Sequence, residues 1–384
     1  MHDVTRRAGL RAILRCAVAG LLGTQKSTSA LIDTEGIGEG ERWIMASVAR
    51  RFMEQYAVPG LSVAIARQGR LVYKEAFGFA NTQTNEKLTT SHLFRIASVT
   101  KPITSVAIFR LIEQGRLHLQ DRIFGNSALL ETTYGTTPYG KYVQDITVEH
   151  LLTHTCGGWQ NNASDPMFRF PQMNHQQLIG WTLDHLPLAH TPGEHWAYSN
   201  FGYCLLGRVI EKVTGKAYRD FVREVVLSPS GVSDMKIAGN TAQQRAPREV
   251  IYYDQDDEDP YNMNLERMDS HGGWLATPAD LVDFATHVDG FSTTPSILKR
   301  ATIQEMISPS RANPAYAKGW MINSAGNWWH NGSLPGSTTI MVRTASGFCW
   351  AALTNTRRQP YDEIGLALDN MVWDMVRRVS AWRP

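Results

Sequence analysis

Cysteine is scarce in this 384-residue chain, which has four: Cys16, Cys156, Cys204 and Cys349. With Cys16 set aside in the N-terminal segment, the remaining three are an odd number and supply no disulfide framework. Cys204 falls in a helical pattern and Cys349 in a strand pattern, the settings of buried small hydrophobes. No His and Asn arrangement surrounds Cys156, so nothing marks it as a nucleophile. Long apolar runs are also missing: none reaches the roughly 18 residues of a membrane span. An excess of one charge is missing too. The formal net charge is +2, and nothing suggests a nucleic-acid surface. His150 and His154 stand four apart with no third ligand spaced to match, so zinc is not expected. The acidic run Asp254–Asp259 lacks the glycine and terminal glutamate of a calcium loop and reads as a solvated loop.

What is present is ample material for a core: 43% apolar and 19% charged residues, enough for one large domain or two. The first thirty residues stand apart. Arg6, Arg7, Arg11, Arg15 and Lys26 face Asp3 alone there, a net +4 that leaves the rest near −2. Thr5-Arg6-Arg7 precedes a short apolar stretch, Cys16 to Gly23, and Thr28-Ser29-Ala30 suits a small-residue cleavage site. Residues 1–30 are therefore expected to be a targeting segment, with residues 31–384 the single domain and export to the periplasm or exterior the destination. Arg7, Arg11 and Arg15 also share a helical face, which leaves an organelle transit peptide, or a cytoplasmic protein, as alternatives.

Periodicity predicts a helix over residues 41–56, ended by Pro59-Gly60. A hairpin follows: Leu61–Ala66 and Arg70–Phe77 about the turn Arg67-Gln68-Gly69. Gly78–Ser91 reads as a polar loop. From about 91 to 310 the pattern is mainly helical. It includes a helix from near Ser98 closed by Gly115, a second over Leu205–Val213 closed by Gly215, and a third over Pro278–Val288 capped by Thr277. Trp159, Phe168, Phe170 and Trp181 suit either a pocket or the core. Short strands return at Gly319–Asn323, Asn327–His330, Ser337–Thr344 and Phe348–Thr354, before a closing helix over Tyr361–Val379. Strands at both ends and helices between predict an α+β fold. Its antiparallel sheet comes from both chain ends, 41–90 and 311–384, with a helical part, 91–310, inserted.

Three motifs carry chemistry. The first is Ser98-Val99-Thr100-Lys101-Pro102. Residues three apart share a helical face, so the Lys101 amine can lie beside the Ser98 hydroxyl at a helix start, and Pro102 holds that start within the first turn. About one Ser-x-x-Lys arises by chance in a chain this long, so the spacing alone says little. The second is Tyr198-Ser199-Asn200. A tyrosine near a lysine can be a phenolate or share a proton, and so act as a base toward Ser98. Asn200 can orient a lysine or a substrate amide. The third is His330-Asn331-Gly332-Ser333, at the end of a predicted strand. Gly332 would let a substrate backbone approach closely. The Ser333 N–H, with that of Ser98, would form an oxyanion hole. His330 would donate to Tyr198 or to a substrate carboxylate.

In this order and on these elements, the motifs resemble the serine β-lactamase and penicillin-binding-protein superfamily. More narrowly, they resemble its class C β-lactamase, DD-carboxypeptidase and family VIII esterase branch. The resemblance covers nearly the whole chain after residue 41. Leu151-Leu152-Thr153-His154-Thr155-Cys156-Gly157-Gly158, Phe201-Gly202-Tyr203, His271-Gly272-Gly273-Trp274 and Gly319-Trp320 add to it. It implies a β-lactamase/transpeptidase-like fold and a serine hydrolase with no metal or cofactor. Ser98 would be the acylated nucleophile. Lys101 and Tyr198 would share the base work, with Tyr198 protonating the leaving group, and Asn200 would orient substrate and lysine. The partner would be a small molecule or peptide with a scissile amide or ester. A D-amino-acid or peptidoglycan stem peptide leads; a carboxylesterase, or a penicillin-binding sensor that deacylates slowly, are the alternatives. Two departures stand out. His330 replaces the lysine of class C enzymes, which makes efficient β-lactam hydrolysis unexpected, and Cys156 replaces a serine.

Overall fold

The computed structural model describes residues 37–380 and 382. The expected targeting segment, 1–30, lies outside the described residues. Among these, no helix is long and apolar enough to cross a membrane.

One seven-stranded antiparallel sheet organises the chain. Its spatial order is Glu86–Lys87, Arg70–Asn81, Gly60–Arg67, Phe348–Thr354, Ser337–Arg343, Trp328–Leu334 and Met321–Ile322. The two chain ends meet at its centre, where Leu61 pairs with Thr354 and Arg67 with Phe348. All of Gly60–Arg67 except Arg67 is buried, and the reason is a helical cover on each face. Alternate residues serve opposite faces of a strand. Val63 and Ile65 pack with Met45, Phe52, Met371 and Met375 from the Glu39–Tyr56 and Tyr361–Arg377 helices. Ala64 and Ala66 face the inserted helices, and their small size lets Pro278–Thr286 lie close against the central strands.

The hairpin is as expected, with Gln68 (φ 48°) and Gly69 (φ 78°) both left-handed, the geometry of a tight two-residue turn. The first helix ends at Tyr56 as expected, but it starts at Glu39 and stops on left-handed Ala57 rather than at Pro59-Gly60. The expected loop from Gly78 is strand as far as Asn81, which pairs with Glu86. Gly78 reads as a break in the pattern, yet it is a close approach. With φ 80°, a Cβ there would fall 2.1 Å from the Pro59 carbonyl oxygen.

The inserted part is mainly helical, as expected, but holds a small sheet in which Phe94–Arg95 and Lys236–Ile237 flank Trp274–Ala276. The acidic run is a solvated loop over Asp257–Asp259, as expected, but it is anchored. The Asp254 side chain is buried, with Oδ2 3.1 Å from Arg357 Nε and 3.0 Å from the Gly336 N–H, and the half-exposed Glu258 reaches Arg357 at 2.8 Å.

Candidate active site

Phe94–Arg95 delivers the chain to Ser98. Phe94 pairs with Ala276, and the Ile96 N–H donates to the Trp274 carbonyl at 3.0 Å. Ala97 then turns left-handed (φ 49°), an uncommon conformation for a residue with a Cβ and one that collects at functional turns. Ser98 sits in the resulting 3-10 turn, Ala97–Val99, and the helix Thr100–Glu113 starts directly after it, with Pro102 in the first turn. That helix is buried on nearly every side, and hydroxyls bolt it to two loops. Thr104 Oγ1 donates to the Ser270 carbonyl at 2.7 Å and Ser105 Oγ to the Lys318 carbonyl at 2.6 Å.

Lys101 is fully buried, and its Nζ lies 2.9 Å from Ser98 Oγ, 2.8 Å from Asn200 Oδ1 and 3.1 Å from the His271 carbonyl. No carboxylate touches it. Burial therefore pushes its pKa well below the usual lysine range, against a weaker opposing pull from Asp165. Asn200 Oδ1 and the His271 carbonyl can only accept, so they take two of the amine's protons. The third position faces Ser98 Oγ: the ammonium donates there, and the amine once deprotonated turns its lone pair there.

Asn200 is committed on every side. Its Nδ2 donates to Asp165 Oδ2 at 2.9 Å and Asn161 Oδ1 at 3.2 Å, which fixes Oδ1 toward Lys101. It does not cap its helix. Ser199 does, accepting from the Gly202 N–H at 3.0 Å. Asp165 is buried and its carboxyl pushed up to about 6, chiefly by burial, with its bonds to Asn200 and the Met167 N–H opposing.

Tyr198 lies with its ring 4.7 Å from Lys101 Nζ. Burial raises its phenol above the ordinary tyrosine range, tempered by a hydrogen bond with Ser98. The resting group is therefore the phenol, and the phenolate reading falls away.

The third motif departs most from expectation. The strand does not end at His330 but runs through the motif to Leu334. His330 is 1% exposed. Its Nδ1 is 2.6 Å from the Asn331 carbonyl and its Nε2 is 3.2 Å from the Tyr316 hydroxyl. It makes no bond to Tyr198, whose ring centroid is 6.2 Å away, and presents no nitrogen to a substrate. Burial, then Lys101, holds its pKa down at about 3. What approaches Gly332 is the Ser98 turn itself. A Cβ at 332 would meet Thr339 Oγ1 at 2.3 Å and the Ile96 carbonyl at 2.4 Å. Ser333 follows on the exposed side of the strand.

Sequence reasoning missed Asp165, Asn161 and the His271 carbonyl. Asp165-Pro166 carries a helix-start signal, and Asp165 does cap Pro166–Arg169 through the Met167 N–H. Its second contact, with Asn200, has no local signal. Tyr316 has none either. Cys156 is buried with Sγ against the Gly158 carbonyl (3.2 Å), its thiol pushed up to about 11, which leaves it inert. Trp159 packs edge-on against Phe201 in the core; Phe170 packs against Trp181 at its half-buried margin; Phe168 is exposed. His154 belongs to an aromatic cluster with Tyr198, Tyr203 and Tyr316. No metal-holding group of His, Cys, Asp or Glu occurs among the described residues.

Fold and site together describe a β-lactamase-type protein, and the chain belongs to the Beta-lactamase family, whose model matches residues 45–369. It is 27% identical over 316 residues, 73% of its own length, to penicillin-binding protein 4* of Bacillus subtilis. The chain spans 60% to 64% of the length of the curated relatives it matches first. Among solved structures, D-amino acid amidase from Ochrobactrum anthropi superposes with a TM-score of 0.72 at 22% identity, over 89% of this chain and 100% of that one. EstCE1, a hydrolase with promiscuous acyltransferase activity, gives 0.71 at 20% identity, over 87% and 98%. At these identities the superpositions establish the fold.

Proposed function

We infer that the chain is a serine hydrolase that cleaves an amide or ester through an acyl-enzyme on Ser98. The observation that carries this is Lys101 Nζ, buried without a carboxylate contact and held 2.9 Å from Ser98 Oγ while two acceptors occupy its other positions. Ser98 Oγ attacks the carbonyl carbon as its proton passes to Lys101 Nζ. The backbone N–H groups of Ser98 and Ser333 hold the oxyanion. Tyr198 gives its phenolic proton to the leaving nitrogen or oxygen, the scissile bond breaks, and the proton on Lys101 restores the phenol. Water then repeats the sequence on the acyl-enzyme. Nucleophile, base and acid are all side chains, so no metal or cofactor is required.

His330 narrows the substrate. Buried and neutral, it offers no charge to a terminal carboxylate. This favours acyl substrates without a terminal carboxylate over DD-carboxypeptide or β-lactam recognition. D-amino acid amides lead, in keeping with the family and with the amidase of the same fold, and simple esters come second.

Intact-protein mass and turnover test this with D-phenylalanine amide, a nitrophenyl ester and benzylpenicillin, using Ser98→Ala as control. Turnover of the amide or ester, with an acyl adduct that Ser98→Ala lacks, is expected. A stable penicillin adduct with no turnover of amide or ester would replace the reading with a penicillin-binding sensor. Undiminished turnover by Ser98→Ala would overturn the nucleophile.

A further inference from the structure

Behind the site a line of hydrogen bonds runs from the backbone after Tyr198 to the strand carrying Gly332 and Ser333. The Ser199 N–H donates to His154 Nδ1 at 3.0 Å. His154 Nε2 lies 3.0 Å from the Tyr316 hydroxyl, and that hydroxyl 3.2 Å from His330 Nε2. His330 Nδ1 ends the line 2.6 Å from the Asn331 carbonyl. All three rings are buried, each 1% exposed.

We propose that Tyr316 is a positioning residue. It sets opposite tautomers on His154 and His330, and through them fixes the Tyr198 segment relative to the Gly332–Ser333 strand. The inference rests on Ser98, Lys101 and Tyr198 acting as described above.

Both ends of the line dictate its direction. A backbone N–H only donates, so His154 Nδ1 accepts and its proton sits on Nε2. A carbonyl only accepts, so His330 Nδ1 carries the proton and its Nε2 accepts. The group between them must accept from one ring and donate to the other. A hydroxyl does both; a phenylalanine in the same space does neither. Tyr316 is itself anchored. Its N–H bonds to the Asn313 carbonyl, and nearby Lys318 lends its carbonyl to Ser105 on the nucleophile helix.

A proton added to either imidazole breaks the line. The groups facing His154 are Lys101, Tyr198, Tyr203, Tyr316, Trp196 and His330; those facing His330 are Lys101, Tyr198, Tyr316 and His154. No carboxylate is among them, so nothing there favours an imidazolium. Burial holds both rings well below the ordinary histidine range, and Lys101 adds to the effect.

The test is nitrogen-15 NMR of histidine-labelled full-length protein, beside kinetics of Tyr316→Phe. The wild type should show His154 protonated at Nε2 and His330 at Nδ1, neither titrating between about pH 5 and 8. Tyr316→Phe should alter both signals and lower kcat roughly tenfold to a hundredfold, with KM changed less than about threefold. Its histidine signals should still not titrate between about pH 5 and 8, since burial continues to hold both rings low. Any other pair of tautomers in the wild type overturns the proposal, and that spectrum decides even where the variant fails to fold. So does a folded Tyr316→Phe enzyme with unchanged kcat and unchanged histidine signals. Failure of the catalytic reading looks different: Ser98→Ala would remain active while the two tautomers stayed in place.

Discussion

Two buried cations in this molecule are treated in opposite ways. Arg357 is matched by Asp254 at 3.1 Å and Glu258 at 2.8 Å, a charge fully paired before it leaves water. Lys101 is buried more completely, yet meets only an amide oxygen, a carbonyl and a hydroxyl; its nearest carboxylate, Asp165, stands behind Asn200. Taking a charge out of water costs several kcal/mol unless a counterion repays it. The arginine is repaid and stays charged, a fixed post between the acidic loop and the sheet. The lysine is not repaid, and burial pushes its pKa well below the usual lysine range. Withholding a partner is what makes the proton easier to lose.

Swapping the partners breaks the comparison most sharply at Lys101. Lys101→Met should lower kcat/KM by about a thousandfold or more, with a smaller stability loss of about 1–3 kcal/mol, because the Asn200 Oδ1 and His271 carbonyl acceptors lose their donor. Steady-state kinetics with differential scanning calorimetry read both, and a large loss of stability would refute the account. Asp254→Asn should do the reverse. It removes the buried one of the two carboxylates on Arg357, leaving the half-exposed Glu258, and should cost about 1.5–3 kcal/mol of stability in urea unfolding, with kcat of the folded fraction nearly unchanged.

Asp165→Asn sharpens the contrast. Asp165 is the charge that pulls the Lys101 pKa upward. Its removal should lower that pKa, and because the base works when deprotonated, the acid limb of kcat/KM should move to lower pH, by up to about one unit. The stability profile should change as well. With a folded pKa of about 6, above the value of about 3.9 in an unfolded chain, wild-type Asp165 contributes stability that grows as pH falls through 6 and levels off near 4. The Asp165→Asn variant should show a flattened rise in urea unfolding across that window. The smallest effect belongs to Cys156→Ser. It should leave kcat within about twofold and change stability by about 1 kcal/mol, and thiol titration of the native wild type should find Cys156 unreactive.

Much of the site was legible because it is local. The Ser98–Lys101 spacing, the helix start marked by Pro102 and the Gly115 and Gly215 helix ends all follow from chain geometry within a few residues. The sheet built from both ends was legible too, since short apolar, β-rich runs bounded by turn residues mark Leu61–Ala66 and Phe348–Thr354. What failed were statements about which way a side chain faces when tertiary contacts decide it. His330 lies on a legible strand, but its nitrogens are claimed by Asn331 and by Tyr316, a loop residue with no pattern of its own. Gly332 was read as room for a substrate, and the molecule spends that room on the Ile96 carbonyl. Asp254 looked like one of a run of surface charges until Arg357, a hundred residues on, reached it.

The central pairing of Gly60–Arg67 with Phe348–Thr354 joins segments almost three hundred residues apart. Contacts so distant along the chain form late, after many loops have closed. The Ser98 turn is pinned by Thr339 Oγ1 on the Ile96 carbonyl at 2.9 Å, a bond from the strand beside that pairing. On the ribosome, Ser98 and Lys101 therefore emerge well before the strand that pins their turn. Under the proposed function, recovery of activity after denaturation should time the closure of the sheet rather than the formation of the helices.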